Sequence, residues 1–594
     1  MKNILLSALL MASVMACNTN NSGRENASGN ADFAKTVDDY YEERLKLFPL
    51  EATMQGDNWY NDLLPNSISQ DFLNQTKAFY SSNLEKLKTF DRAKLSDQDQ
   101  ISYDILKREL ELQLEQFKFH LEYVPFSQFE GLTLTFGQLG SGAGAQPFKT
   151  VKDYDDWLKR VSAFRVWGDT AVANFRKGLA TGMTWPKSLV VKMIPQMTDL
   201  VVSDPAKSLF YGPINTLPKT FSEADKNRLT AAYRKAILEE IVPTYRKLGE
   251  FLEDEYLPKA RTTSGVDAVP QGAELYQELV KTWTTTDKTP EEIYQTGLKE
   301  VARIRGEMEK VKTQVGFRGS LDDFFTHLKT DPKFYPYKQP KDVLAAFNTI
   351  LARIEPNLKK MFTKTPKSKF EIRQTEKFRE ASASAEYNQA SADGSRPGIF
   401  YVPIPEATKF NVTSGMESLF LHEAIPGHHY QISLQQENAD LPKFRRFAWY
   451  GAYGEGWALY CESLGKELGI YTDPYQYMGA LSDEIHRAIR LVVDVAIHTK
   501  HMTREEAIRY MMANEPIAEQ GAVAEIERYM AIPAQALSYK IGALKIRELR
   551  AKYEKQLGDQ FNLAAFHDEF LKDGCMPLDV LEHKMDAWAN RQGK

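Results

Sequence analysis

Cysteine is scarce: three residues in 594, Cys17, Cys461 and Cys575. So few, with no regular spacing, exclude a disulfide scaffold and a thiolate metal cage. Cys461 and Cys575 are therefore expected as buried free thiols, with a bridge between them as the alternative that an exported protein permits. Charge of one sign is missing too. Lysine and arginine total 75 against 80 acidic residues, a formal net charge of -5, so neither nucleic-acid binding nor a basic membrane face is expected. Apolar runs are short. The longest, ILLSALLMASVMA after Lys2, ends before Cys17 and falls below the roughly 20 residues that span a bilayer. No fixed-period repeat is present, which excludes a solenoid.

The first apolar run reads as an export signal over residues 1–16. Val14-Met15-Ala16-Cys17 resembles a bacterial lipobox, whose cysteine is lipidated. The alternative is an ordinary cleaved secretory signal. Residues 17–32, rich in Asn, Ser and Gly, form a flexible tether. The expected location is outside the cytoplasm, with a lipid anchor as the sole membrane contact.

From about Ala34 onward the chain is mostly helical in pattern. Segments such as DFLNQTKAFYSSNLEKLKTF, DILKRELELQLEQFKFHLEYV, KNRLTAAYRKAILEEIVPTYRKLGEFLEDEYL and TPEEIYQTGLKEVARIRGEMEKVKTQVG place apolar residues three and four apart with charges between. The glycine-bearing stretch 126–148 reads as a loop. Near residue 367 the pattern changes: KFEIRQTEKF alternates, and SADGSRPGIFYVPIP is turn chemistry before an apolar run. These predict a small antiparallel sheet at about 369–404, able either to hold an extended peptide at its edge or to brace the next helix. The expected organisation is an N-terminal helical lobe over 33–366 and a catalytic helical lobe over 367–594.

Histidine is rare and unevenly placed, with eight of ten residues after position 420. The stretch SGMESLFLHEAIPGHHYQ precedes GEGWALYCESLG. Polar groups inside apolar helical patterns are costly unless something binds them. Ser414 and Glu417 have capping-box spacing, so a helix should start near Gly415 and carry His422 and Glu423. His-Glu with more histidines just after it is the vocabulary of zinc hydrolases. In H-E-x-x-H the histidines lie one turn apart, whereas here Pro426 occupies that position. On a straight helix His429 would sit about 10 Å beyond His422. Pro426 cannot donate to the His422 carbonyl, and Gly427 relaxes the backbone. A kink or bulge at 425–427 should then return His428 toward His422, with Glu455 completing the metal site.

A second polar group lies further on. His486, Arg490, Asp494 and His498 recur every four residues along one helix. Part of this stripe is expected to be a structural ion network, with Arg487 as a further structural partner. Arg490 and His498 could instead face the active site. Tyr529 and Tyr539 are candidate donors to a developing oxyanion.

Taken together, HEAIPGHHYQ, EGWALYCE, RAIRLVVDVAIH and PAQALSYKIG resemble the bacterial family called domain of unknown function 885. The resemblance covers nearly the whole mature chain, and DGSRPGIFYV also fits it. That family is more distantly similar to the helical zinc peptidases of the angiotensin-converting-enzyme, thimet-oligopeptidase and carboxypeptidase Taq type. The resemblance implies a mainly α, two-lobed zincin-like shell around a deep channel. It also implies Zn2+ held by His422, His428 and Glu455, Glu423 as general base, and Tyr529, Tyr539 or His498 as oxyanion donor. Two extra residues relative to H-E-x-x-H leave His429 as the alternative to His428. The expected activity is that of a zinc peptidase acting on oligopeptides, with carboxypeptidase action as one form of it. The alternatives are a zinc amidase on a small non-peptide amide and a non-catalytic binding lipoprotein.

Overall fold

Long amphipathic helices build almost all of the chain in the computed structural model, which describes residues 30–592 except 378–379, 381–383 and 391–395. The export signal, Cys17 and nearly all of the tether lie outside the described residues, as do residues 391–395 of the turn expected in SADGSRPG. The periodic segments fold as their patterning predicts, for example Gln70–Lys88, Asp97–Gln116 and Pro290–Gln314. The last carries a capping box at its start: Thr289 accepts from the Glu292 amide while the Glu292 carboxylate accepts from Thr289. Among the described residues no helix is long and apolar enough to cross a membrane.

One expectation fails in the 126–148 stretch. Leu132–Gly140 is a helix, not a loop. Phe136 stacks on Phe164 at 4.0 Å and on Trp157 at 4.5 Å between centroids. Burial of that ring outweighs the low helix propensity of the glycines.

Among the described residues the sheet has three short strands: β1 (Phe370–Gln374), β2 (Glu386–Asn388) and β3 (Gly398–Val402). It is mixed, not wholly antiparallel. The order is β1-β3-β2, with β1 parallel and β2 antiparallel to β3. Glu386–Asn388 is too short to show an alternation of its own. Its presence between the two visible strand signals lets the chain reverse twice and return β3 parallel to β1. All five β3 residues are buried. Phe400 packs edge-on against Phe347 and Phe420, so the sheet braces the helix that carries His422.

Three of the four apolar cores draw residues from both sides of position 366. The helix Pro474–Thr499 runs along Pro290–Gln314. Lys540, 1% exposed, ties these two to a third helix through Glu300 at 3.0 Å and Glu484 at 2.7 Å. Cys461 and Cys575 are buried free thiols.

Candidate metal centre

The helix bearing His422 is short. It runs Met416–Glu423 and begins at Gly415 in the left-handed region (φ 78°), with no side-chain cap. The Ser414–Glu417 capping box does not form. Glu417 is buried and pairs instead with Arg353 at 2.5 Å while accepting from the Tyr471 amide at 2.6 Å. A guanidinium offers a carboxylate more than one backbone amide does.

At its C-terminal end the helix breaks outright instead of bulging. Ala424 leaves helical geometry, and a new helix, His428–Glu437, starts after Gly427. A Cβ on Gly427 would lie 1.9 Å from the His422 carbonyl oxygen, so only glycine lets the chain double back this tightly. The Pro426 carbonyl accepts from Trp457 Nε1 at 2.9 Å. Trp457 belongs to the helix Gly451–Ser463, which also carries Glu455. One tryptophan thus registers the turn against the third predicted ligand.

The result is a convergence. Ligand atoms of His422, His428 and Glu455 all lie within 4.8 Å of one another. Glu455 Oε2 is 3.4 Å from His422 Nε2 and 3.5 Å from His428 Nε2. Two donors each about 2.1 Å from one tetrahedral ion stand roughly 3.4 Å apart, so both separations suit a shared zinc. Two imidazoles and one carboxylate are also the donor chemistry of a catalytic zinc with an open fourth position. The residues fit the ion.

The electrostatics favour a cation here. Burial alone would raise the pKa of Glu455, but the two imidazoles hold it well below the usual carboxylate range. Burial opposes protonation of His422, yet Glu455 and Glu462 lift its pKa to about 10 in the ion-free protein. Glu462 Oε1 lies 2.7 Å from His422 Nδ1, which turns the other ring nitrogen toward Glu455. Sequence reasoning missed Glu462. The available signal was its place two turns after Glu455 on the same face of an apolar helix.

His429 is not at the cluster. Its Nδ1 is hydrogen-bonded to the Tyr387 hydroxyl at 2.9 Å, and burial lowers its pKa to about 4. Glu423 comes directly after His422, and its Oε2 accepts from the Tyr387 backbone amide of β2 at 3.0 Å.

The stripe on Pro474–Thr499 divides in two. His486 pairs with Glu515 at 2.8 Å. Arg490 is bound to Glu525 at 3.1 Å and to the Tyr529 hydroxyl at 3.0 Å, not to Asp494. Asp494 accepts from Tyr276 and the Ala534 amide, and burial, outweighing these hydrogen bonds and the more distant Arg528 charge, raises its pKa to about 7. His498 is fully buried, with one nitrogen accepting from the Val266 amide and the other hydrogen-bonded to the Tyr529 carbonyl. It has no nitrogen left for a substrate. Arg487 bonds the Asp483 carbonyl at 3.1 Å. Tyr529 is buried and donates to Glu525. Tyr539 is half-buried and lies under the Arg490 guanidinium, 4.7 Å from ring centroid to Cζ. Burial raises its phenol pKa, and the Glu455 carboxylate raises it further. Of the two tyrosines, it is Tyr539 that stands in the field of the cluster.

A cavity of about 1090 Å³ opens beside the site, walled in part by Tyr41, Met54, Arg446 and Trp449. The Trp449 ring, on its wall, lies 5.8 Å from that of His428, while His422, His428 and Glu455 do not themselves line it.

The sequence matches the model of a bacterial protein family of unknown function, DUF885, over residues 49–585. The chain belongs to that family. It is similar in structure to a candidate lipoprotein from Colwellia psychrerythraea, with TM-score 0.84 and 28% identity over 94% of this chain and 99% of that one. A candidate lipoprotein of unknown function from Shewanella oneidensis superposes with TM-score 0.75 at 20% identity, over 94% of this chain and all of that one. A carboxypeptidase from Pyrococcus furiosus aligns over 95% of this chain and 99% of its own, but at TM-score 0.41 and 9% identity that likeness carries no argument. No curated protein matches.

Proposed function

We propose that this chain is an exported zinc peptidase of oligopeptides, with His422, His428 and Glu455 holding the ion and Glu423 as general base. The observation behind this reading is the convergence of three ligand atoms within 4.8 Å, with a carboxylate one residue beyond the first. Zinc in that position supplies Lewis acidity toward a carbonyl oxygen and toward water.

The protein's own groups do the rest. Glu423 takes a proton from the attacking water and returns it to the leaving amine. Tyr539 donates a hydrogen bond to the developing oxyanion. Tyr529 holds Arg490 in place instead of acting itself, and His498 is structural. Arg490 Nη1 is buried and finds no hydrogen-bond acceptor among the described residues, and in this reading it receives the substrate carboxylate. That assignment favours C-terminal trimming. A cavity of about 1090 Å³ suits a few residues of extended peptide, not a folded domain.

Residues 1–16 act as the export signal in this reading, and Cys17 carries the lipid. The candidate lipoproteins to which the chain is similar support the anchor. The test is Glu423→Gln, assayed on a panel of blocked dipeptides and longer peptides. It should keep its metal and lose about 10²-fold or more in turnover. Full turnover in that variant would remove Glu423 as the base.

A further inference from the structure

Behind the proposed base the structure holds a histidine that joins no ligand cluster. His429 meets the Tyr387 hydroxyl through Nδ1 at 2.9 Å, with Ser433 Oγ 3.4 Å from the same nitrogen. Tyr387 is the middle residue of β2, an edge strand of the sheet. Its backbone N–H donates to Glu423 Oε2 at 3.0 Å. One residue is therefore held at both ends, its ring by His429 and its amide by Glu423.

The neighbouring strand is cut to fit this arrangement. Gly398 of β3 faces the pair, and a Cβ there would lie 2.3 Å from the Tyr387 hydroxyl and 2.9 Å from His429 Nδ1. Any larger residue would push phenol and imidazole apart. The contact also has a chemical purpose. A glutamate side chain turns about three bonds, and a charge-assisted hydrogen bond to one oxygen restricts that freedom while leaving the second oxygen open. A base misplaced by about 1 Å can lose roughly 10²-fold in rate.

We infer that His429, Tyr387 and Gly398 form a bracket that positions the Glu423 carboxylate through the backbone of β2, setting turnover without touching substrate or metal. They are positioning residues, and the inference rests on the reading of Glu423 as the base. It also accounts for the second member of the His428-His429 pair.

The experiment uses the full mature protein in two arms. The first measures amide hydrogen exchange at 386–388 in the parent and in Glu423→Ala, Tyr387→Phe, His429→Leu and Gly398→Ala. Every variant should speed exchange of the Tyr387 amide. The second arm measures zinc content, kcat and KM on an oligopeptide. Tyr387→Phe, His429→Leu and Gly398→Ala should keep their zinc, hold KM within about twofold and lose about 10- to 100-fold in kcat. His429→Gln, whose amide can still bond the phenol, should recover much of that loss. Unchanged exchange in Tyr387→Phe and His429→Leu would overturn the bracket. So would faster exchange with unchanged kcat, or loss of zinc in His429→Leu. Full activity in Glu423→Ala would sink the choice of base, while the exchange arm would still report on the bracket itself.

Discussion

Glu462 Oε1 and His422 Nδ1 stand 2.7 Å apart, on the opposite edge of the imidazole from Glu455. The two glutamates sit two turns apart on one helix and grip one ring between them. A carboxylate on the non-ligating nitrogen fixes the tautomer and raises the basicity of the ligating one.

Glu462→Gln keeps the shape of that contact and removes its charge. Zinc affinity should fall about 10- to 100-fold, with the helical circular dichroism unchanged. Competition against a chromogenic chelator measures it. An affinity equal to the parent's would show that Glu462 is only a buried anion.

Glu455 depends on a close helix crossing. Gly456 sits beside it, and a Cβ there would lie 2.6 Å from the Gly542 Cα on the helix Leu537–Leu557. Gly456→Ala should therefore cost about 1–3 kcal/mol, read as a lower melting temperature. It should also lower zinc occupancy, because the helix carrying Glu455 has to move away from its neighbour. Parent-like melting and zinc content would mean that the crossing has slack.

Asp494 gives a pH signature. Its folded pKa, about 7, lies above the ordinary carboxylate value of about 3.9. Between those values the folded protein holds a proton that the unfolded chain has released. Stability from this group is thus fully present at low pH and is lost as pH rises through about 7. Asp494→Asn keeps an acceptor for Tyr276 and the Ala534 amide and cannot ionise. Its melting temperature relative to the parent should rise from pH 5 to about pH 7 and level off by pH 8. A difference constant with pH would show that Asp494 is not titrating.

Helices were legible from local periodicity, since the residues that make Pro290–Gln314 a helix are its own. The convergence of two histidines and a glutamate was legible because His422, His428 and Glu455 are polar residues in apolar patterns with a proline and a glycine between the histidines. Partners were less so. Nothing near Arg490 in sequence points to Glu525 in preference to Asp494, which lies one turn away on the same helix. Strand order at 370–402 turned on the three residues Glu386–Asn388, and the helix at Leu132–Gly140 on a ring stack with residues from another helix. The Tyr387 amide on Glu423 is a backbone contact between distant segments, and no side-chain pattern encodes it.

The account depends most on which histidine joins His422. Metal analysis of the purified mature protein beside His428→Ala and His429→Ala decides it. The parent should carry about one zinc per chain, His428→Ala should lose it, and His429→Ala should retain it. A parent that takes up no zinc when loaded, or zinc lost with His429 and kept without His428, would contradict the site.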